Sequence, residues 1–212
     1  MSRSTPGSGK RDMNDLPAVE LQAEDDLAAL QSRYGSRPQI RADLEVGAEF
    51  YQQWHRRLAE TRNRRAEVVL VLLNPQERIL LHTKSFYPPG IFRLPTGGVK
   101  PHEDLMDALP RETFEETGYR DLDYNYLGAT RYVFNLRDRA LPFTSFNFSA
   151  NLPDGRPRIQ DHGERISGFS WITKPELSRI AGSLRDLSEN WHDWGRMRAV
   201  SHEAVLVMLE RS

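Results

Sequence analysis

The spacing of apolar residues changes at Arg65. Before it they recur every three or four positions. Ala23, Leu27, Leu30 and Tyr34 share a helical face over Ala18–Tyr34, and Gly35-Ser36-Arg37-Pro38 ends that helix. Val46, Phe50, Trp54 and Leu58, with Tyr51 beside them, predict a second amphipathic helix over Asp43–Thr61. Its aromatic stripe suits core or dimer packing, or a nucleobase. After Arg65 short apolar runs take over. Val68–Leu73 is continuous and β-branched, the pattern of a buried strand. Asn74–Glu77 turns the chain into a second strand, Ile79–His82, and the two make a hairpin. Ile91–Leu94, Arg131–Phe134, Thr144–Ala150 and Phe169–Ile172 predict further strands, with Phe146, Phe148 and Ala150 on one face. Asn135–Ala140 reads as a loop. Thr173-x-x-Glu176 is a capping box opening a helix, and Met197, Val200, Ala204 and Met208 mark a last helix. Met1–Pro17 has almost nothing to bury and reads as a disordered tail.

Composition narrows the classes. The 212 residues carry a net charge of −1, so no strong basic field recruits nucleic acid. There is no cysteine, which excludes disulfides, thiolate metal sites and cysteine nucleophiles. No apolar run is long enough to span a membrane, and no signal-peptide core is present; the cytoplasm is the expected location.

The chemistry concentrates in Gly97–Tyr119. Within it, Arg111-Glu112-Thr113-Phe114-Glu115-Glu116-Thr117-Gly118 places Glu112, Glu115 and Glu116 on one side of a helix, since residues three and four apart share a face. Three crowded carboxylates repel one another. They suit a hard divalent cation, because Mg²⁺ and Mn²⁺ take oxygen ligands. Gly118 stands where a helix ends in a left-handed residue. Gly97-Gly98 opens a loop whose backbone can approach a ligand.

This stretch resembles the Nudix box, Gly-x5-Glu-x7-Arg-Glu-U-x-Glu-Glu-x-Gly-U, with U bulky and apolar. Gly97, Glu103, Arg111-Glu112, Glu115-Glu116 and Gly118 meet every fixed charged and glycine position, and Tyr119 stands at the last U. Two positions depart. Thr113 takes the first U. Pro110 falls inside the helix, where it removes a hydrogen bond and clashes one turn back, so a kink near Met106 or a late helix start is expected.

The resemblance covers Arg65–Ile180 and implies an α/β/α sandwich around a mixed sheet. The expected organisation is a tail with a short helix over 1–36, a helical leader over 37–64, the Nudix unit over 65–180 and a C-terminal helical extension over 181–212. It implies metal-dependent hydrolysis of a nucleoside diphosphate linked to another moiety. By this likeness Glu112, Glu115 and Glu116 bind Mg²⁺ or Mn²⁺, joined by the Gly97 carbonyl. Arg111 fixes Glu115, and Glu103 braces the loop against the helix. Glu164 is the candidate base outside the box, alongside Glu112, Glu116 and His162. Arg93 is a candidate phosphate ligand, and Lys100 and His102 lie in the loop. The expected partner is a small nucleotide; a homodimer is compatible with the leader helix.

Subfamily marks are missing. The first proline after the box, Pro142, comes too late for an ADP-ribose hydrolase, and Tyr132 too early for a dinucleoside polyphosphate hydrolase. Phe134, Phe143, Phe146 and Phe148 are candidates to stack a base or to fill the core. A nucleoside triphosphate pyrophosphohydrolase and a non-catalytic nucleotide-binding module are the alternatives. An isomerase on the same fold is disfavoured by the absent cysteine.

Overall fold

The computed structural model describes residues 18–60 and 64–211. The tail expected over Met1–Pro17 lies outside the described residues. In chain order the elements are α1 (Ala18–Tyr34), β1 (Gln39–Glu45), α2 (Ala48–His55) with a π-helical turn at Arg56–Glu60, β2 (Ala66–Leu73), β3 (Ile79–Lys84) and β4 (Thr96–Val99). They continue with α3 (Leu105–Thr117), β5 (Asn125–Leu136), β6 (Arg139–Asn151), β7 (Ile166–Ile172), α4 (Lys174–Arg185) and α5 (His192–Leu209).

The strands form one mixed sheet, ordered β1-β5-β6-β2-β3-β7, with β4 also paired to β2. β1 lies parallel to β5 and β2 parallel to β6; the other pairs are antiparallel. Apart from Glu67, β2 is apolar because both its faces are covered. Val68, Leu70 and Leu72 meet Leu27 and Leu30 of α1 and Leu105 and Leu109 of α3 on one side. Val69 and Val71 meet Leu177 of α4 and Val205 and Met208 of α5 on the other. The result is an α/β/α sandwich, with Phe146 and Phe148 of β6 in the first of these layers.

Three expectations need correction. The helix expected over Asp43–Thr61 begins only at Ala48. Residues before it, including Asp43–Glu45, form β1, where Ile40, Ala42 and Leu44 alternate with exposed neighbours. That period of two was masked by the four-residue spacing starting at Val46. β1 joins the main sheet through β5, with Leu44 opposite Phe134. The aromatic stripe that suggested a dimer face packs inside the chain: the Trp54 ring lies 4.4 Å from that of Phe143 and 5.4 Å from that of Phe134.

The second correction concerns the approach to the box. Ile91–Leu94 is not a strand; only Arg93 bridges to His82. The strand is β4, and Gly97 and Gly98, expected in a loop, pair with Val68 and Glu67 of β2. Third, the predicted loop at Asn135–Ala140 shrinks to a tight turn at Arg137-Asp138, because β5 and β6 continue pairing to Leu136 and Arg139.

Candidate active site

The site is built on α3 and β4. Asp104 caps α3, its side chain accepting from the Met106 N–H at 2.7 Å, and Gly118 closes it in the left-handed conformation at φ 78°. Pro110 does not break the helix, which runs from Leu105 to Thr117. The ring is exposed, and the price is one hydrogen bond to the Met106 carbonyl. Thr113 is fully buried, and its hydroxyl accepts from the Tyr124 O–H at 2.9 Å. That partner explains how a polar residue fills an apolar position of the box. The last turn of α3 is closed by the segment at 158–161: Arg158 N–H donates to Thr117 O, and the Gln160 and Asp161 N–H groups both donate to Glu115 O.

Arg111 is the hub of the acidic cluster. Its Nε and Nη2 donate to the two oxygens of Glu103 at 2.6 and 2.8 Å. Nη1 reaches Glu112 Oε1 at 2.7 Å and Glu115 Oε2 at 3.1 Å, and Nη2 also binds the Gly98 carbonyl at 2.9 Å. Three carboxylates therefore share one guanidinium, whose pKa Glu103 and Glu112 push up. Glu103 also accepts from the Lys100 N–H, tying β4 to α3. Burial pushes the Glu112 carboxyl up, and Arg111 opposes that rise.

The three glutamates of α3 do not share one environment. Glu112 and Glu115 line a cleft of about 1050 Å³. Glu116 is sealed behind it, fully buried, and neither of its oxygens has a hydrogen-bond partner. His82 of β3 faces it, Nδ1 lying 3.6 Å from Glu116 Oε2, and burial holds the imidazole well below its ordinary pKa. Burial likewise pushes the Glu116 carboxyl up to about 8, against the pull of Arg93 and Lys84. Lys84 bridges outward: its Nζ lies 3.8 Å from Glu116 Oε1 and 2.5 Å from Glu164 Oε2.

The cleft collects most of the remaining candidates. Gly97, Arg93, Lys100 and Glu164 line it; His102 and His162 do not. Arg93 is held rigidly, donating to Tyr87 Oη at 2.7 Å, the Leu94 carbonyl at 2.7 Å and Thr96 Oγ1 at 2.9 Å. Phe134, Phe143, Phe146 and Phe148 are core residues. The aromatic wall comes instead from Tyr87, Trp191 and Trp194, whose ring centroids lie 4.9 to 5.8 Å apart. Sequence reasoning missed these three. Their one signal was the cluster Trp191-His192-Asp193-Trp194, two half-buried tryptophans in an otherwise polar stretch.

A model of the NUDIX domain matches residues 63–194. The chain belongs to the Nudix hydrolase family. Over 92 residues it is 30% identical to an 8-oxo-dGTP diphosphatase of Buchnera aphidicola, covering 43% of this chain and 66%, just under two thirds, of that protein. Over 132 residues it is 29% identical to an RNA pyrophosphohydrolase of Francisella philomiragia, covering 60% of this chain and 75% of the relative. Among solved structures, the dihydroneopterin triphosphate pyrophosphohydrolase of E. coli is 16% identical with a TM-score of 0.48, covering 70% of this chain and 99% of that one. No described helix is long and apolar enough to cross a membrane.

Nudix hydrolases generally use divalent metal ions. No group of three or more His, Cys, Asp or Glu side chains disposed to hold a metal occurs among the described residues; Arg111 takes one oxygen each of Glu112 and Glu115, and Glu116 lies deeper. The donor chemistry nonetheless fits a hard cation. The donors are carboxylate oxygens, and the two buried oxygens of Glu116 are left without a hydrogen-bond donor. A Cβ on Gly97 would lie 2.0 to 2.4 Å from the side chain of Glu112, so that glycine leaves room for the carboxylate.

Proposed function

We propose that this Nudix protein is a cytoplasmic, Mg²⁺- or Mn²⁺-dependent hydrolase that cleaves the pyrophosphate bond of a nucleoside diphosphate linked to another moiety. The observation that carries the reading is the placement of Glu112 and Glu115 in a cleft of about 1050 Å³ with an aromatic wall. That is room for a nucleotide. The rings of Tyr87, Trp191 and Trp194 supply a face on which a base can stack.

Glu112, Glu115 and Glu116, with the Gly97 carbonyl, are the groups that would hold the cation. When bound, a divalent cation neutralises pyrophosphate charge and acidifies water. Water attacks one phosphorus, the bond to the bridging oxygen breaks, and the other phosphoryl group leaves with the bridging oxygen. Glu164 takes the proton of the attacking water, its carboxylate held at the cleft edge by Lys84 at 2.5 Å. Arg93, fixed by Tyr87 and Thr96, faces the substrate phosphates. Arg111 and Glu103 keep the carboxylates in place.

A second reading is a nucleoside triphosphate pyrophosphohydrolase. It is favoured by the names of the relatives, an 8-oxo-dGTP diphosphatase and an RNA pyrophosphohydrolase. The test is hydrolysis of ADP-ribose, nucleotide sugars, dinucleoside polyphosphates and nucleoside triphosphates, with Mg²⁺ or Mn²⁺, by the wild type and Glu115→Gln. Metal-dependent turnover of a linked diphosphate, reduced on the order of 10²- to 10³-fold in the variant, is expected. Turnover of triphosphates alone selects the second reading. No turnover of any compound leaves a nucleotide-binding module and overturns both.

A further inference from the structure

A second charged cluster faces the same cleft, opposite in sign to the box. Its centre is Glu67 of β2, fully buried. Arg198 of α5 grips it with Nη1 at 2.9 Å and Nη2 at 3.3 Å, and Ser145 of β6 donates to it at 2.8 Å. Arg64 approaches from the other side, Nη1 lying 3.5 Å away. Arg57, from the turn after α2, lies over the Trp54 ring at 5.5 Å and within electrostatic reach of both Arg198 and Glu67. All three arginines line the cleft.

Glu67 offsets one guanidinium, and Glu112 of the box, already shared with Arg111, reaches Arg64, so the cluster keeps a positive excess. Excess charge beside the buried Arg198 is costly. Burial pushes the Arg64 guanidinium below its ordinary pKa; Glu67 and Glu112 oppose this, while Arg198 and Arg57 add to it. Arg198 is buried, with a side chain only 6% exposed, yet its Nε has no hydrogen-bond partner. Nothing about holding Glu67 requires a third arginine. The cluster also adjoins the box. A Cβ on Gly98 would lie 2.8 Å from Arg64 Nε and 3.0 Å from its Nη2, so the missing side chain lets that guanidinium lie against β4.

We propose that Arg57, Arg64 and Arg198 form an anion site that takes a phosphate group of the substrate, beside the carboxylates of the box. Planar guanidinium forks match phosphate oxygens, and three of them around one group favour an anionic phosphate over a neutral sugar. The assignment rests on the nucleotide hydrolase reading for the identity of its ligand. It makes a separate claim, that phosphate binds here without metal.

Inorganic pyrophosphate is the probe, titrated calorimetrically in EDTA into the full chain. The wild type is expected to bind it, more weakly as salt rises. Arg57→Gln and Arg64→Gln are each expected to weaken binding about tenfold while melting as cooperatively as the wild type. Arg57 has an exposed side chain, so its variant decides the matter if Arg64→Gln fails to fold. No metal-free binding by the wild type, or unchanged affinity in folded Arg57→Gln, overturns the proposal. Glu115→Gln separates the two readings: it must not weaken metal-free binding, whatever it does to hydrolysis. Arginine-dependent binding in a protein that hydrolyses nothing keeps the anion site and removes the enzyme reading. Hydrolysis with no arginine-dependent binding does the reverse.

Discussion

Two charge clusters lie side by side along one cleft, and each is the other's inverse. At the box one arginine, Arg111, is shared by three glutamates, Glu103, Glu112 and Glu115. Next to it one glutamate, Glu67, is shared by Arg57, Arg64 and Arg198. Their support differs as much as their sign. The acidic cluster is local: its residues lie on one helix and the loop before it, and Asp104 and Gly118 fix that helix at both ends. The basic cluster is assembled from the turn after α2, the start of β2 and α5. The acidic side chains keep some contact with water, Glu115 being 32% exposed, whereas Glu67 has none. Local support makes a motif; non-local support makes a cluster that only folding brings together.

The largest expected effect comes from removing each hub. Glu67→Gln leaves the buried Arg198 and the neighbouring Arg64 without their counter-charge, and urea unfolding should show a loss of roughly 3–5 kcal/mol. Burial alone would push the Glu67 carboxyl up, but Arg198 and Arg64 outweigh it and hold the group below its ordinary range, which marks how strongly the cluster depends on that one charge. Arg111→Gln also strands three like charges, but those carboxylates can turn to water. Its loss should be smaller, about 1–3 kcal/mol. Equal losses would break the comparison.

That difference explains what the chain disclosed before it was folded. The box was legible because its spacing lies within one turn-by-turn pattern, so Arg111, Glu112, Glu115 and the two glycines could be placed by counting. The α/β/α layers were legible from β2, whose unbroken apolar run demands cover on both faces. What spacing did not disclose is which side of a residue is wet. Glu116 shares a helical face with Glu112, yet β3 brings His82 against it and closes it off. Arg198 and Trp194 are ordinary residues of a terminal helix until α5 packs across the sheet beside β2. β1 was missed because its alternation is short and runs directly into a helical repeat.

His202, one turn beyond Arg198 on α5, ties that helix to the segment leading into β4. Its Nδ1–H donates to the Arg198 carbonyl at 2.6 Å, and its Nε2 accepts the Leu94 N–H at 3.2 Å, just ahead of β4. The second bond requires the neutral ring; the first survives protonation, and the carbonyl favours it. Burial first, and then the charges of Arg198 and Arg93, lower its pKa to about 3 despite the favourable carbonyl. The folded pKa lies below the unfolded value of about 6.5. Stability from this residue is therefore complete above that pH and lost as pH falls from about 6.5 toward 3. By pH 4 the loss should reach roughly 3 kcal/mol. Urea unfolding between pH 7 and 4 should show this slope in the wild type, and His202→Gln should flatten it. Parallel curves would mean that the joint between α5 and the segment before β4 does not depend on this proton.

A steric change at the box should cost some stability and far more activity. A Cβ on Gly97 would stand 2.0 Å from Glu112 Cγ and 2.4 Å from Oε2. The atoms in its way belong to a buried side chain that Arg111 holds at 2.7 Å, so Glu112 must move. Gly97→Ala should therefore cost about 1–3 kcal/mol in urea unfolding. The displaced carboxylate is the one that Arg111 holds toward the cleft, and metal-dependent hydrolysis should fall about 10- to 100-fold. The same variant should leave metal-free pyrophosphate binding at the arginines within twofold of wild type, because Arg64 rests on Gly98 and not on Gly97. A loss of both together would show that the two clusters act as one structural unit, and that the division between a local catalytic wall and a non-local binding wall is drawn in the wrong place.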